Sequence, residues 1–575
     1  MQAPEREWKF PAGPSSGSRR LSDQLGCSRL VADVLDGLGF SDGEAARGFL
    51  TTGLEGLHDP FLLPSMEAIC ARIHRSIREE EPIVVYGDYD VDGMTAATLL
   101  FWVLKRLGAT CEVYIPDRMS AGYGLNREAI RQLFERGMRL LVTVDNGVSA
   151  VDEVAYARGL GMTVIVTDHH TLPETLPDDT LILHPRLPGR EYPFPDLCGV
   201  GVAFKLGQAL LATSALPDKD EAARGFLANC LDMVAIGTIA DMAPLLGENR
   251  ILVREGLGQL GHTVHAGLKA LLGLERLAGV RMTVDHVGFK ICPKLNSAGR
   301  IDDHRVALEL LMARKADVAS QIALRLHGIN LQRIRQVSEL LDRALARSDD
   351  WTRRTLPVVV LETDKKGLMG LVAQRLREKF HKPFLVLASN GKTATGSGRS
   401  VEGFDLVGAL SGARELLTRY GGHAMAVGLT LDCARLDRLS EALEAAAVSA
   451  NLTAEPPVPP VAIAAVVTPE VLVEALKADL DSLAPFGKGN PAPLLAMRRV
   501  SVSRVDRLGG AGKHVRLHSP QFPGNVGNVG FNLGTDVADA MKSTSLLDLA
   551  FRLEPDVWGG REILQMKLQA VRPAI

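Results

Sequence analysis

The sequence predicts an α/β protein of several units: a parallel-sheet domain, a long connecting helix, a second α/β domain and a small C-terminal β-barrel. Three observations predict it. Between Ile83 and His170, short β-branched runs alternate with amphipathic helical stretches, which is the pattern of βαβ units with helices on both faces of a parallel sheet. After the proline-rich AEPPVPPV at 454–461 the pattern changes to short runs separated by turns, as in a small barrel. A chain of 575 residues also exceeds what one core holds at roughly 100–200 residues per domain.

In chain order, residues 1–77 read as an N-terminal helical cap, with a loop-like PAGPSSGSR and the turn HDPFLLPSM. Residues 78–310 form the parallel-sheet domain, its strands being IVVYG, CEVYIPD, RLLVTVDNG and MTVIVTDHH. The intervening helices are MTAATLLFWVLKRLG, NREAIRQLFERG and AVDEVAYARGLG, and mostly helical sequence follows. Residues 311–350 read as the connecting helix, and 351–452 as the second α/β domain, opened by TLPVVVLE and PFLVLAS. Residues 453–575 carry VSVSRVDRL, KHVRLHS, NVGNVGFNL and LDLAFRLE, whose alternation puts Phe531 and Phe551 in the barrel core.

A net charge of −3 excludes a polycation that coats nucleic acid or an anionic membrane, so any such binding needs local basic patches. Seven cysteines without a C-x-x-C pair argue against a disulfide framework and a thiolate zinc site, and point to a reducing cytoplasm. No leader and no bilayer-spanning segment is expected.

The stretch VVYGDYDVDGMTAA holds the chemistry. Asp88, Asp90, Asp92 and Gly93 resemble half of a calcium loop, but the twelfth position, which needs a bidentate Glu, is Leu99. The stretch also joins a strand to a helix, at the carboxyl end of a parallel strand where open α/β sheets place their sites. An aspartyl-phosphate motif fails on spacing, because Met94 intrudes before Thr95. The neighbouring strands end in Asp145 (VDNG) and in Asp168-His169-His170 (TDHH), and Asp241 follows an apolar helix in GTIADMAPL. One such Asp alone is more often a helix N-cap than a ligand. Together, so many acids on one sheet edge repel unless a cation joins them. Carboxylates with one or two histidines suit Mn²⁺ or Mg²⁺, and two such ions sharing a carboxylate suit phosphodiester hydrolysis.

With GDYDVDG, TVDNG, TDHH and GTIADMAPL in place, the chain resembles the DHH phosphoesterase superfamily, and within it the single-strand-specific DNA exonucleases, over nearly its whole length. The resemblance implies two Mn²⁺ or Mg²⁺ ions held by Asp90, Asp92, Asp145, His169 and Asp241, with Asp88 at the margin of the set as the loop-orienting acid and Asp168 supporting. Asp145, His169 and His170 are the implied catalytic residues, His170 as a ligand or as a contact to the attacked phosphate. The second domain is then the one that accompanies a DHH domain, and the barrel an oligonucleotide-binding (OB) one.

Such a site needs cations for substrate phosphates, and four glycine-flanked places supply them: Arg118, Lys294 with Asn296 and Arg300, Ser397 with Arg399, and His423. In the barrel, His514, Arg516 and Trp558 are candidate strand contacts, with Phe486 beside them. Where relatives carry Trp-His before a glycine, this chain has Asp364-Lys365, so a charge replaces an acid/base group. The resemblance implies a 5′-to-3′ exonuclease of single-stranded DNA in repair and recombination. It also implies a monomer, supplied with substrate by a helicase and a single-strand-binding protein. The further C-terminal domain of longer relatives is not expected. The competing readings are a DHH phosphodiesterase of short oligonucleotides or cyclic dinucleotides, and a non-catalytic single-strand-binding scaffold.

Overall fold

The structure, a computed structural model, describes residues 6–574 apart from 12, 14, 117–123, 190–191, 216–220, 302, 304, 470–473, 510–511, 524–525 and 559–560. Its first sheet is wholly parallel, in the order Cys111–Tyr114, Ile83–Tyr86, Leu140–Thr143, Thr163–Thr167, Leu181–Leu183. The central strands IVVY and LLVT are fully buried, which is why they read as continuous apolar runs. Ile83 and Val85 face a core with helices Met66–Arg78, Val91–Arg106, Gly199–Ala212 and Glu221–Ala240. Val84 and Tyr86 face the opposite core, with Arg127–Glu135 and Val151–Gly159. The strands bearing the acidic loops are adjacent in this order, so their carboxyl ends share one edge. The fifth strand, only three residues long, is too short to show a period and was not foreseen.

The helical cap expected over 1–77 is split between two bodies. Met66–Arg78 belongs to the first core, whereas Leu21, Val31 and Leu35 of the earlier helices pack with Leu483, and Leu30 joins the core of the C-terminal sheet. Trp8–Lys9 pairs in parallel with Val461–Ala462. Amphipathicity marks a helix's buried face and not its partner 400 residues away.

Helix Ala316–Leu345, about 45 Å long at 1.5 Å per residue, buries Ala319, Ala323 and Leu326 in the first core and Leu340 and Ala344 in the second domain. That domain's sheet runs Leu417–His423, Ala426–Asp432, Thr393–Arg399, Phe384–Ser389, Val358–Glu362, with only the last pair parallel. The C-terminal unit is a seven-stranded sheet whose longest members, Leu546–Trp558 and Arg561–Pro573, pair antiparallel. Phe551 is buried in it, but Phe531 is 57% exposed. The core assignment of Phe531 is therefore wrong: strand Val526–Gly530 ends one residue before it, so the alternation no longer applies. No helix of the described residues is long and apolar enough to cross a membrane.

Candidate metal centre and strand-binding groove

The first acidic loop is built by a helix start. Asp90 caps helix Val91–Arg106 by accepting from Gly93 N at 3.0 Å, a contact worth about 1 kcal/mol. The cap starts the helix at Val91, three residues before the predicted Met94. Asp92, in the first turn and 1% exposed, accepts from Gly199 N (2.7 Å) and Val200 N (2.8 Å) at the N-terminus of helix Gly199–Ala212. Two helix N-termini thus favour a carboxylate there. Gly93 is required because a Cβ would lie 2.6 Å from the backbone N of Asp88.

Asp145 follows the central strand with φ +62°, the left-handed region that a non-glycine residue adopts at a cost of about 1–3 kcal/mol. Its loop is held on both sides: Asn146 Nδ2 donates to Tyr86 O and Val144 O, and Val148 N donates to Asp168 Oδ2 at 3.0 Å. Asp168 also accepts from the backbone N of His169 (2.7 Å) and His170 (3.1 Å) and from the His170 ring at 2.7 Å. Burial pushes its carboxyl up, but these hydrogen bonds and the His170 charge prevail and hold it down to about 2. Asp168 is thus a positioning group. The His170 imidazole, which burial would lower, is raised to about 9 by that same bond. His184 fixes the turn from beneath: its Nδ1 accepts from Arg186 N, so its Nε2 donates to His170 O at 2.8 Å.

Asp241 ends helix Glu221–Ala240, where Met242 takes a left-handed φ of +58°. A helix C-terminus disfavours an acid. These residues fall into three groups whose donor atoms lie within 4.8 Å of one another: Asp88, Asp90 and Asp145; Asp145, His169 and His170; and Asp92, His169 and Asp241. Asp145 and His169 each belong to two groups, as shared ligands of adjacent ions do.

Both carboxylate oxygens of Asp145 and Nε2 of His169 are buried without a hydrogen-bond partner among the described residues, although His169 Nε2 lies 3.0 Å from Asp145 Oδ1. Two like charges about 4 Å apart interact by roughly 4 kcal/mol at an effective dielectric of 20, more than any N-cap returns. Burial and then Asp92 push the Asp145 carboxyl well up; burial and then Asp241 raise Asp92 to about 7, and burial and then Asp90 raise Asp241 to about 7. The residues fit a divalent cation, which supplies the charge they lack.

Two glycines that sequence reasoning passed over make room for these acids. A Cβ on Gly199 would sit 2.5 Å from Asp145 Cβ, and one on Gly237 2.4 Å from Thr95 Oγ1 and 2.9 Å from Asp92 Oδ1. Nothing in the local sequence says which helix crosses the loop.

A cavity of about 1240 Å³ opens at the end of helix Glu221–Ala240, lined by residues that include Asn296, Arg300 and Lys488, with exposed Met242 and Phe289; the acids and histidines of the site, and Ser397, Arg399 and His423, are not in its lining. Gly367 packs on Arg300 O, and the second domain reaches the cavity lining through Leu371, Gln374 and Glu378, while Arg399 and Ser397 lie against Gly370 of their own domain. His423, whose burial lowers its pKa, lies within the field of Arg399, His170 and Lys488.

Lys294 is a correction: it is buried, donates to Lys290 O and is paired with Glu275 at 2.7 Å, so its charge is spent inside the fold. His514 and Arg516 are not in the cavity lining, which the C-terminal domain reaches through Phe486, Lys488 and Arg552. His514 instead accepts from Asn532 N and packs against Phe531. Arg118 and the Trp558 side chain lie outside the described residues. Lys365 opens the 3-10 turn Lys366–Leu368 that abuts Arg300.

Family models match in three places: the DHH family, N-terminal domain at residues 82–238, the DHHA1 domain at 356–449 and the RecJ OB domain at 463–570. The single-stranded-DNA-specific exonuclease RecJ of Bacillus subtilis is 35% identical over 99% of this chain and 71% of its own. Its counterpart in Salmonella typhimurium is 32% identical over 87% and 89%. The crystal structure of RecJ in complex with Mn²⁺ from Thermus thermophilus superposes with a TM-score of 0.81 at 28% identity, covering 99% of this chain and 80% of that one. A corresponding Mg²⁺ complex gives 0.75 at 27% identity, with coverage of 99% and 79%. With its acidic sheet edge, its two-domain groove and these similarities along its length, the chain belongs to the RecJ family of the DHH proteins.

Proposed function

We propose that the chain is a metal-dependent exonuclease that removes nucleotides from the 5′ end of single-stranded DNA, in repair and recombination. The observation that carries it is the buried pair Asp145 and His169, whose donor atoms lack hydrogen-bond partners and are shared between adjacent ligand groups. Asp90, Asp92, Asp145, His169 and Asp241 would hold Mn²⁺ or Mg²⁺, with Asp88 completing the loop. Two ions held by these residues would supply a water of lowered pKa and positive charge to offset the charge developing on the attacked phosphate.

The rest is done by the chain. Asp168 orients His170, which is charged at neutral pH because its pKa is raised to about 9, and so offers a donor to a non-bridging phosphate oxygen. Asn296, Arg300, Ser397, Arg399 and His423, on two domains, hold the phosphates beside the scissile bond and the 5′ end, with Arg118 joining them. On this reading the units are catalytic at 78–310, connecting at 311–350, strand-clamping at 351–452 and strand-binding at 453–575, with the 1–77 segment shared between the first and the last. The chain acts as a monomer in the cytoplasm, on strands exposed by a helicase and covered by a single-strand-binding protein.

Single- and double-stranded oligonucleotides labelled at the 5′ or 3′ end, incubated with Mn²⁺ or Mg²⁺, test the proposal. The expected result is mononucleotide released first from the 5′ label of single strands. Release first from the 3′ label overturns the polarity, and faster cleavage of dinucleotides than of long strands overturns the substrate.

A further inference from the structure

A turn of the C-terminal domain that carries a lysine docks on the first domain just after Asp241. Residues 485–490 form a tight turn, closed by reciprocal backbone bonds between Gly487 and Asn490 (2.8 and 3.2 Å), while buried Asn490 donates to Leu483 O and Pro485 O, both at 2.9 Å. The turn is clamped to the segment just after Asp241: Leu245 N donates to Lys488 O at 2.7 Å, and a Cβ on Gly487 would lie 2.6 Å from Leu245 Cδ1. Buried Arg250 secures its base by donating to Leu483 O at 2.9 Å and Ser482 O at 3.2 Å.

On this fixed backbone the Lys488 side chain is exposed, lines the cavity with Asn296 and Arg300, and has no carboxylate within ion-pair distance among the described residues. Its charge opposes the rise of Asp241 on the first domain and acts on His423 of the second. A lysine anchored at the backbone, lacking an ion pair and set between a candidate metal ligand and the phosphate-binding residues is a point charge awaiting an anion.

We propose that Lys488 binds a phosphate of the substrate strand beside the scissile bond, so that the site of the first domain is complete only with the C-terminal domain docked on it. This rests on the single-strand reading above. The test uses the full chain with Lys488→Met, which keeps the stem without the charge, and Lys488→Arg. Steady-state kinetics on single-stranded DNA give kcat and KM; salt titrations of strand binding are made in an Asp145→Ala background.

The expected result for Lys488→Met is a KM about tenfold higher, kcat within a few-fold of wild type, and a slope of log affinity against log salt shallower by about 0.7. Lys488→Arg restores both. A Met variant with wild-type KM and salt slope overturns the inference. So does an Arg variant as defective as the Met variant, because the residue then anchors the turn and does not act as a charge. Failure of the single-strand reading is distinguishable, since it shows in the wild type as no hydrolysis of long strands.

Discussion

The edge of the first sheet and the surfaces that face it from the other two domains are built by opposite means. The acids deepest in the edge are buried, Asp92 at 1% and Asp145 at 2% exposure, and are pinned by backbone amides or glycine contacts, while Asp90 is half-buried and Asp241 lies at the exposed rim. The cations opposite sit on a half-buried strand end (Arg399) and an exposed turn (Lys488), brought in by separate domains. Ion ligands tolerate errors of only a few tenths of an ångström and therefore come from one rigid body, here the sheet edge and the end of helix Glu221–Ala240 packed beside it. Holding a polyanion is a longer-range task that several bodies can share.

The acidic side should break hardest. Asp145→Ala removes the ligand common to two groups and is expected to lower turnover by on the order of 10³-fold or more, the scale of losing one group that stabilises transition-state charge, with circular dichroism unchanged. Gly199→Ala tests the pinning without replacing a ligand: its Cβ displaces Asp145. Activity should fall about 10–100-fold, as when groups that orient ligands are lost, and Mn²⁺ affinity should fall with it in calorimetric titration. Asp168→Asn leaves the fold but not the carboxylate that raises His170, so the pH profile should lose activity at lower pH than wild type as His170 deprotonates earlier. On the basic side, Arg399→Ala should raise KM about tenfold at a nearly constant kcat.

Metal removal sharpens the comparison through pH. Burial with Asp241 beside Asp92, and burial with Asp90 beside Asp241, raise both folded carboxyls to about 7 from the usual 3.8. A raised carboxyl favours the folded chain below its unfolded value and loses that contribution as pH rises through the folded one. The chelated protein is thus expected to melt progressively lower between about pH 4 and pH 7, and added Mn²⁺ should restore the melting temperature at pH 8.

Much of the acidic side was legible in the sequence, because each acid follows an apolar strand or helix that announces its own end. Asp90, Asp92, Asp145, His169 and Asp241 could be gathered from four short motifs, and the structure brings them within 4.8 Å in overlapping groups. The basic side was legible only in part. Arg300 and Arg399 stand out beside glycines, yet Lys294 looks identical locally and is spent on Glu275. Lys488, in the turn-like FGKGNP at 486–491, carries no local sign of a role, since only the docking of the C-terminal domain against Leu245 places it beside the first domain. Gly199, Gly237 and His184 were missed for the same reason: their partners are far away in sequence.

The most direct test of the account is a Mn²⁺ titration of the chelated wild-type chain and of Asp145→Ala, followed by electron paramagnetic resonance, with single-strand hydrolysis measured on the same samples. The account predicts two Mn²⁺ bound per wild-type chain and activity that rises with their occupancy, and weakened binding and no activity in Asp145→Ala. Hydrolysis that persists in the chelated protein, or full Mn²⁺ binding and activity in Asp145→Ala, would contradict it.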